Sequence, residues 1–347
     1  MIWCFTMPMH QNGVNDVGCC AARLSISRTL RALSRPLPWA GSQGNWGRMG
    51  LKLRVLTGAA ALSMLGAAPA TIVPGLASAP AGAVNFRLGA MKLTALRDST
   101  FVTPNDGGDF GSDAGPAAVA SLLRRAGAPT DRITLTVDAL LVRMPGRVVL
   151  IDTGYGRHGT LAASLAMTGL SRAEITDVLI THGHIDHTGG LVGADGASAF
   201  PRATIRLSAR EWAWMRDQPQ TRALAAVIAP QVRTFEPGAP ILPGVTPIAL
   251  YGHTPGHVGY AIVSQGARLE DIGDTAHSVI VSLAHPEWKG DIDEDPAAGA
   301  ATRVSELRRL AREQELVFAP HFPFPGVGRI APKGAGYKWK PSPALAD

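Results

Sequence analysis

The chain has 347 residues, 46% of them hydrophobic and 17% charged, with a formal net charge of +6; that length holds one large domain or two small ones and buries an ample core. The positive excess sits in residues 1–83, where Arg23, Arg28, Arg31, Arg35, Arg48, Lys52 and Arg54 face Asp16 alone, leaving 26 basic and 26 acidic residues in 84–347. With no basic stripe interleaved with aromatics in the neutral remainder, a nucleic-acid partner is not expected.

Residues 1–48 show no amphipathic period and mix Cys, Pro, Gly and Arg. They read as a non-native or disordered extension ahead of a start at Met49. From there Lys52 and Arg54 form a positive region, 55–68 an apolar stretch, and Ala77-Ser78-Ala79 and Ala81-Gly82-Ala83 offer small-residue cleavage sites. This is the pattern of a signal peptide over 49–83. Pro80 favours the later site, so the exported domain is expected to be 84–347, periplasmic or secreted. Gly66 and Pro69 interrupt the apolar run too early for a membrane span, so no stable insertion is expected after processing. Cys4, Cys19 and Cys20 all fall in the leader. The domain therefore has no cysteine nucleophile, thiolate metal site or disulfide.

Within the domain, 91–96 alternates like an edge strand, and 133–144 and 148–151 read as strands joined at Pro145-Gly146. Asp152-Thr153-Gly154 then turns the chain. Residues 161–167 and 171–175 read as helical. The apolar, β-branched run 178–181 reads as a buried strand. Ser208-Ala209-Arg210-Glu211 is a capping box opening a helix that carries Trp212 and Trp214, which cannot both face one way and read as core packing, with one exposed near a substrate entrance as the alternative. Strand-like runs follow at 245–251, 268–272 and 316–319. Asp295-Pro296 opens the longest helix, whose Ala300, Val304, Leu307 and Ala311 recur at helical spacing and whose Arg308, Arg309 and Arg312 read as a solvated face.

The chemistry is concentrated in His182-Gly183-His184-Ile185-Asp186-His187, directly after the 178–181 strand. Alternate residues of an extended segment point the same way, so His182 and His184 can share one metal. Asp186 and His187 come after a reversal and can face a second. Imidazole nitrogen and carboxylate oxygen suit zinc or a neighbouring first-row ion. Further candidates each follow a strand: His253-Thr254-Pro255-Gly256-His257, Gly273-Asp274 and His321. One rim of a sheet layer could collect them all.

This order of motifs resembles the metallo-β-lactamase superfamily of metal hydrolases. The segment from His321 to Gly328, with Gly336-Tyr337-Lys338-Trp339, looks most like the branch that includes methyl parathion hydrolase and dihydrocoumarin-type lactonases. The resemblance implies an α+β fold, an αββα sandwich of two mixed sheets face to face with helices outside. It also implies two Zn2+ per chain: His182, His184 and His257 on the first, Asp186, His187 and His321 on the second, and Asp274 bridging. His253 competes with His257, and the family pattern favours His257. Asp152 would pin the ligand loop. Apart from the resemblance, His277 reads as an ordinary surface or core histidine, with a place in the pocket as the alternative.

A metal-bridging hydroxide would then attack the substrate, with Asp186 and Asp274 expected in the catalytic machinery. No Gly-x-Ser-x-Gly elbow is present. The expected activity is hydrolysis of a small-molecule lactone or aryl ester, with organophosphate triesters as a side activity and homodimerisation left open. Phe322, Phe324 and Tyr337 are expected as apolar pocket walls. The alternatives are a zinc β-lactamase and a metal-binding protein without catalysis.

Overall fold

A computed structural model of the chain describes residues 75–77 and 79–342. The expected N-terminal extension, the apolar part of the expected signal peptide and the three cysteines lie outside the described residues. The strands are β1 (Leu76–Ala77), β2 (Gly82–Leu88), β3 (Met91–Pro104), β4 (Arg132–Met144), β5 (Arg147–Ile151), β6 (Asp177–Leu179), β7 (Thr204–Ser208), β8 (Val232–Phe235), β9 (Val245–Ala249), β10 (Val258–Ser264), β11 (Ala267–Asp271), β12 (Leu316–Phe318), β13 (Val327–Lys333) and β14 (Gly336–Pro341). The α-helices are α1 (Pro116–Arg125), α2 (Leu161–Ala166), α3 (Ile185–Thr188), α4 (Ala209–Asp217), α5 (Arg222–Ile228), α6 (Val281–Ala284) and α7 (Pro296–Glu313).

The first sheet runs β1-β3-β4-β5-β6-β7-β8, with β2 also on β3, and the second runs β14-β13-β12-β11-β10-β9. Both are mixed: β5 to β8 pair in parallel, as do β11 and β12, and the remaining pairs are antiparallel. Period-two burial on β2 to β5 turns Phe86, Leu93, Leu140 and Val149 toward Val258, Tyr260, Ile262 and Leu269 of the other sheet. The outer face of the first sheet packs Leu141, Leu150 and Ile205 on Leu165 of α2, Met215 of α4 and Ile228 of α5. Outside the second, Val317 and Ile330 pack on Leu283 of α6 and on Leu307 and Leu310 of α7. The result is the expected αββα sandwich. Each fully buried Leu or Ile of the inner layer contributes about 1.5–3 kcal/mol, against about 0–1 kcal/mol for an exposed pair such as Arg132–Asp131. The inter-sheet core, not surface charge, holds the frame.

Several local expectations shift. The 91–96 run is not an edge: it opens β3 and lies between β2 on one side and β4 on the other. The expected boundary at 83/84 falls inside β2, where Gly82 and Ala83 pair with Arg97 and Leu96. Gly82 also donates its N–H to Ser164 Oγ at 3.0 Å. Residues 171–175 shorten to a 3-10 turn at Arg172–Glu174. α7 begins as expected, with Asp295 accepting from the Ala298 N–H and Pro296 in the first turn. Its Arg309 is not simply solvated, because it pairs with Glu270, Glu306, Glu313 and Glu315. No helix among the described residues is long and apolar enough to cross a membrane.

Candidate metal centre

β9, β11 and β12 run the same way, so the loops leaving their carboxyl ends gather at one edge of the sandwich. Those loops carry His253, Asp274 and His321, and the loop after β6 brings His182 to His187 to the same edge. Three overlapping groups of donor atoms result: His182, His184 and His253; Asp186, His187, Asp274 and His321; and His253, Asp274 and His277, each with its atoms within 4.8 Å of one another.

Hydrogen bonds behind the rings set which nitrogen faces inward. Asp152, in the left-handed region at φ 61°, accepts the Thr181 N–H at 2.9 Å and the Thr181 hydroxyl at 2.8 Å. Thr181 Oγ1 is then free to accept from Nδ1–H of His182 at 3.0 Å. Asp152 also receives Nδ1–H of His187 at 2.7 Å, Asp293 receives that of His253 at 3.0 Å, and the carbonyl of Thr136 receives that of His321 at 2.7 Å. In its neutral form each of these four rings therefore presents the Nε2 lone pair to the cleft. His184 instead offers Nδ1, with its Nε2 facing Glu294 at 3.7 Å.

These lone pairs crowd together. His184 Nδ1 lies 3.1 Å from His182 Nε2 and 2.9 Å from His253 Nε2, and those two Nε2 atoms are 3.2 Å apart. In the second group His187 Nε2 is 3.4 Å from His321 Nε2 and 3.5 Å from Asp186 Oδ2. Asp274 stands between these two groups. Its Oδ1 lies 3.2 Å from His187 Nε2, while Oδ2 lies 3.1 Å from His321 Nε2 and 3.2 Å from His253 Nε2. Its buried Oδ1 has no hydrogen-bond partner. Acceptors converging at such distances repel unless a cation lies among them, and this N/O donor set suits zinc or a similar ion.

His257, expected as a ligand, belongs to none of these groups. Its Nδ1–H donates to the Leu250 carbonyl at 2.7 Å, and its Nε2 accepts the Asp274 N–H at 2.9 Å. With both nitrogens committed, the ring props Asp274 from behind. His253, four residues earlier and on the cleft side of the Thr-Pro-Gly turn, stands in the donor cluster instead. The other candidates, His182, His184, Asp186, His187, Asp274 and His321, meet as the motif order suggests.

Electrostatics separate the rings. Burial pushes His257 down to about 3 and His277 down to about 4, so both are neutral. Burial also disfavours charge on His253, but Asp274 and Asp293 outweigh it and push that ring up to about 9. His187 moves well up for the same reason, with Asp274, Asp186 and Asp152 around it. Despite burial, His187 and His321 hold Asp186 and Asp274 far below the usual carboxylate range. His277 bonds Asp274 through Nε2 at 3.1 Å, while its buried Nδ1 has no partner.

Three supporting residues went unrecognised in the sequence. Asp293 reaches His253, and Arg303 of α7 pairs with Asp293 at 3.2 Å. Glu211, read as half of a capping box, leaves the helix end to Ser208. Its carboxylate accepts the Gly183 N–H at 2.7 Å, the Thr254 hydroxyl at 2.8 Å and the Gly256 N–H at 2.8 Å. It thus ties together the two histidine loops. The sequence signal for Glu211 was an acid on an otherwise inward helix face, next to Trp214, whose ring centroid lies 5.7 Å from that of His184.

The cleft over the donors has about 190 Å³, with Phe101, Leu135, Tyr155 and Ile292 as its walls. A second, more apolar cavity of about 310 Å³ continues from His277 and His321 past Leu123, Ile133 and Val279. Phe322, Phe324 and Tyr337 do not serve as walls. Phe322 and Tyr337 pack with Trp339 in the core outside the second sheet, and Phe324 packs on the inter-sheet core under the Arg97 guanidinium.

Comparison with solved structures places the chain among metal-site hydrolases. It is similar to AidC, a dizinc quorum-quenching lactonase solved in complex with a product, at 26% identity and a TM-score of 0.72 over 76% of this chain and 98% of that one. It is also similar to the hydrolase AbOPH of the beta lactamase superfamily, at 28% identity and a TM-score of 0.70 over 76% and 99% of the two chains. A probable metal-dependent hydrolase from Staphylococcus aureus shares the fold at 20% identity and a TM-score of 0.62, over 75% and 100%. No curated protein matches the chain. The family model of the metallo-beta-lactamase superfamily matches residues 132–321, a span that runs from the start of β4 through every one of the donors to His321, and the chain belongs to that superfamily.

Proposed function

We propose that this protein is an exported dinuclear zinc hydrolase of lactones and aryl esters, with organophosphate triesters as a side substrate. The observation that carries this reading is the first two donor groups with Asp274 between them: seven side chains, too many for one tetrahedral ion. His182, His184 and His253 would hold one zinc, Asp186, His187 and His321 the other, with Asp274 shared. Two such ions supply Lewis acidity and a water acidic enough to act as a nucleophile near neutral pH. The similarity to a dizinc lactonase supports the choice of metal and of substrate.

The chain's own groups supply the rest. Asp186 and Asp274 stay ionised and so can bind cations or accept a proton at their cleft-facing oxygens. Burial, with Asp186 and Asp274 nearby, keeps the Tyr155 phenol protonated, a donor on the cleft wall for a substrate oxygen. Neutral His277 offers Nδ1 to the same space. Phe101, Leu135 and Ile292 exclude water, and the adjoining 310 Å³ cavity suits an alkyl or aryl substituent.

The test is a panel of lactones, aryl esters, an organophosphate triester, a phosphodiester and a cephalosporin on zinc-loaded protein, read as kcat/KM. The expected order puts lactones and aryl esters first. A cephalosporin or phosphodiester ahead of every ester would overturn the substrate assignment, and no turnover of any member with two zinc ions bound would return the protein to a binding role. Export is proposed from the 49–83 pattern, and N-terminal sequencing of secreted material tests it.

A further inference from the structure

A cavity of about 650 Å³ lies beside the ligand loop, more than three times the volume of the cleft over the donors. Tyr155 lines both spaces. Ile185, between the donors His184 and Asp186, lines the larger one and is 43% exposed. The two spaces therefore adjoin at Tyr155.

Its lining is chemically one-sided. Arg157, His158 and Arg172 contribute to it with Tyr155, Ile185 and Val192 among others, and no carboxylate does. Arg157 donates Nε–H to His158 Nε2 at 3.0 Å, and its terminal amino groups have no hydrogen-bond partner among the described residues. Arg172 stands 5.9 Å from the centre of the Phe200 ring. Neither arginine has a carboxylate partner among the described residues, whereas Arg147, Arg206, Arg268, Arg303 and Arg309 each pair with one or more acids. In a domain of zero net charge, two unpaired guanidinium groups in one cavity beside the cleft form a local anion site.

We propose that this cavity binds a carboxylate at the far end of the acyl chain, so that the favoured substrates are half-esters of dicarboxylic acids or lactones of hydroxydicarboxylic acids. The inference rests on the hydrolase reading and narrows its substrate class. Guanidinium forks match planar carboxylates in two-pronged geometry, and the apolar Ile185 and Val192 suit the methylene chain between the two ends. Arg157 is exposed, so the attraction is expected to weaken with salt.

The test compares p-nitrophenyl hydrogen adipate with its ω-methyl ester on zinc-loaded protein, following nitrophenol release. The expected kcat/KM ratio favours the free acid by about tenfold, mostly through KM, and falls toward one in R157Q/R172Q and in concentrated salt. A wild-type ratio of one or less overturns the proposal, as does a double variant that keeps the wild-type ratio. If neither ester is turned over, the hydrolase reading fails separately, and calorimetry still decides the cavity. Adipate is expected to bind wild type about tenfold more tightly than hexanoate, and R157Q/R172Q to remove that difference; equal binding of the two acids by wild type overturns the proposal.

Discussion

Asp293 Oδ1 lies 3.0 Å from Nδ1 of His253, and this contact aims the opposite nitrogen of the ring at the donor cluster. Arg303 holds the other oxygen of the same carboxylate, carrying the arrangement back to α7. Asp293→Asn keeps an acceptor but removes the charge. Metal affinity is expected to fall about 10- to 100-fold, measured by competition with a chromogenic chelator. An unchanged affinity would show that His253 needs no orienting charge.

His253 and His257 differ in role, and single substitutions separate them. His253→Ala is expected to lower bound metal from two ions per chain toward one, by elemental analysis, and to cut turnover by about two orders of magnitude or more. His257→Ala leaves all seven donors in place, costs about 2–4 kcal/mol in a denaturant melt from the buried groups it orphans, and retains more metal. The reverse pattern would restore His257 as the ligand.

Glu211 joins the loop of His182 and His184 to that of His253. Glu211→Ala would leave two buried N–H groups and a hydroxyl unpaired, each costing about 1–3 kcal/mol. A large loss of stability with weakened metal retention is expected. Glu211→Gln, which still accepts from one loop, should fall between. Equal metal affinity in all three proteins would reduce Glu211 to a local helix residue.

Asp138 carries a pH signature outside the donor set. It is buried, and neither carboxylate oxygen has a hydrogen-bond partner, because the Thr136 hydroxyl is given to the Phe322 carbonyl. Burial pushes its carboxyl well above the ordinary value of 3.8. The folded state thus holds a proton that the unfolded chain has lost, so stability from this group is full below pH 3.8 and declines as pH rises toward the folded value. Asp138→Asn should remove that decline, gaining about 1–3 kcal/mol at pH 8 and nothing near pH 3. Melts across that range check it; parallel curves would refute it.

If export ends at Ala83, the secreted chain begins inside β2. A chain starting at Val84 loses the Gly82–Ser164 hydrogen bond and the β1 pairing, and is expected to melt a few degrees below one starting at Leu76. Identical melting temperatures would show that residues 76–83 add nothing to the domain.

What the sequence determined by itself was local in range. The 182–187 cluster follows a strand, so its backbone alone dictates which donors sit together. The late donors announced themselves because each follows an apolar strand, and the αββα layering followed from strands grouped in each half with helices between. The choice between His253 and His257 lay beyond that range. Both flank the same Thr-Pro-Gly turn, and they differ only in what lies behind them: Asp293 behind the first, the Leu250 carbonyl and the Asp274 amide around the second. The same holds for Glu211, whose sequence neighbour offered a helix cap while its actual partners lie 28, 43 and 45 residues away. Phe322 reads as a pocket wall from its place beside His321, yet successive residues leaving a strand face opposite ways, and its ring entered the core. A ring nitrogen or a carboxylate takes its role from the partner it meets, and those partners are brought together only when the two sheets close.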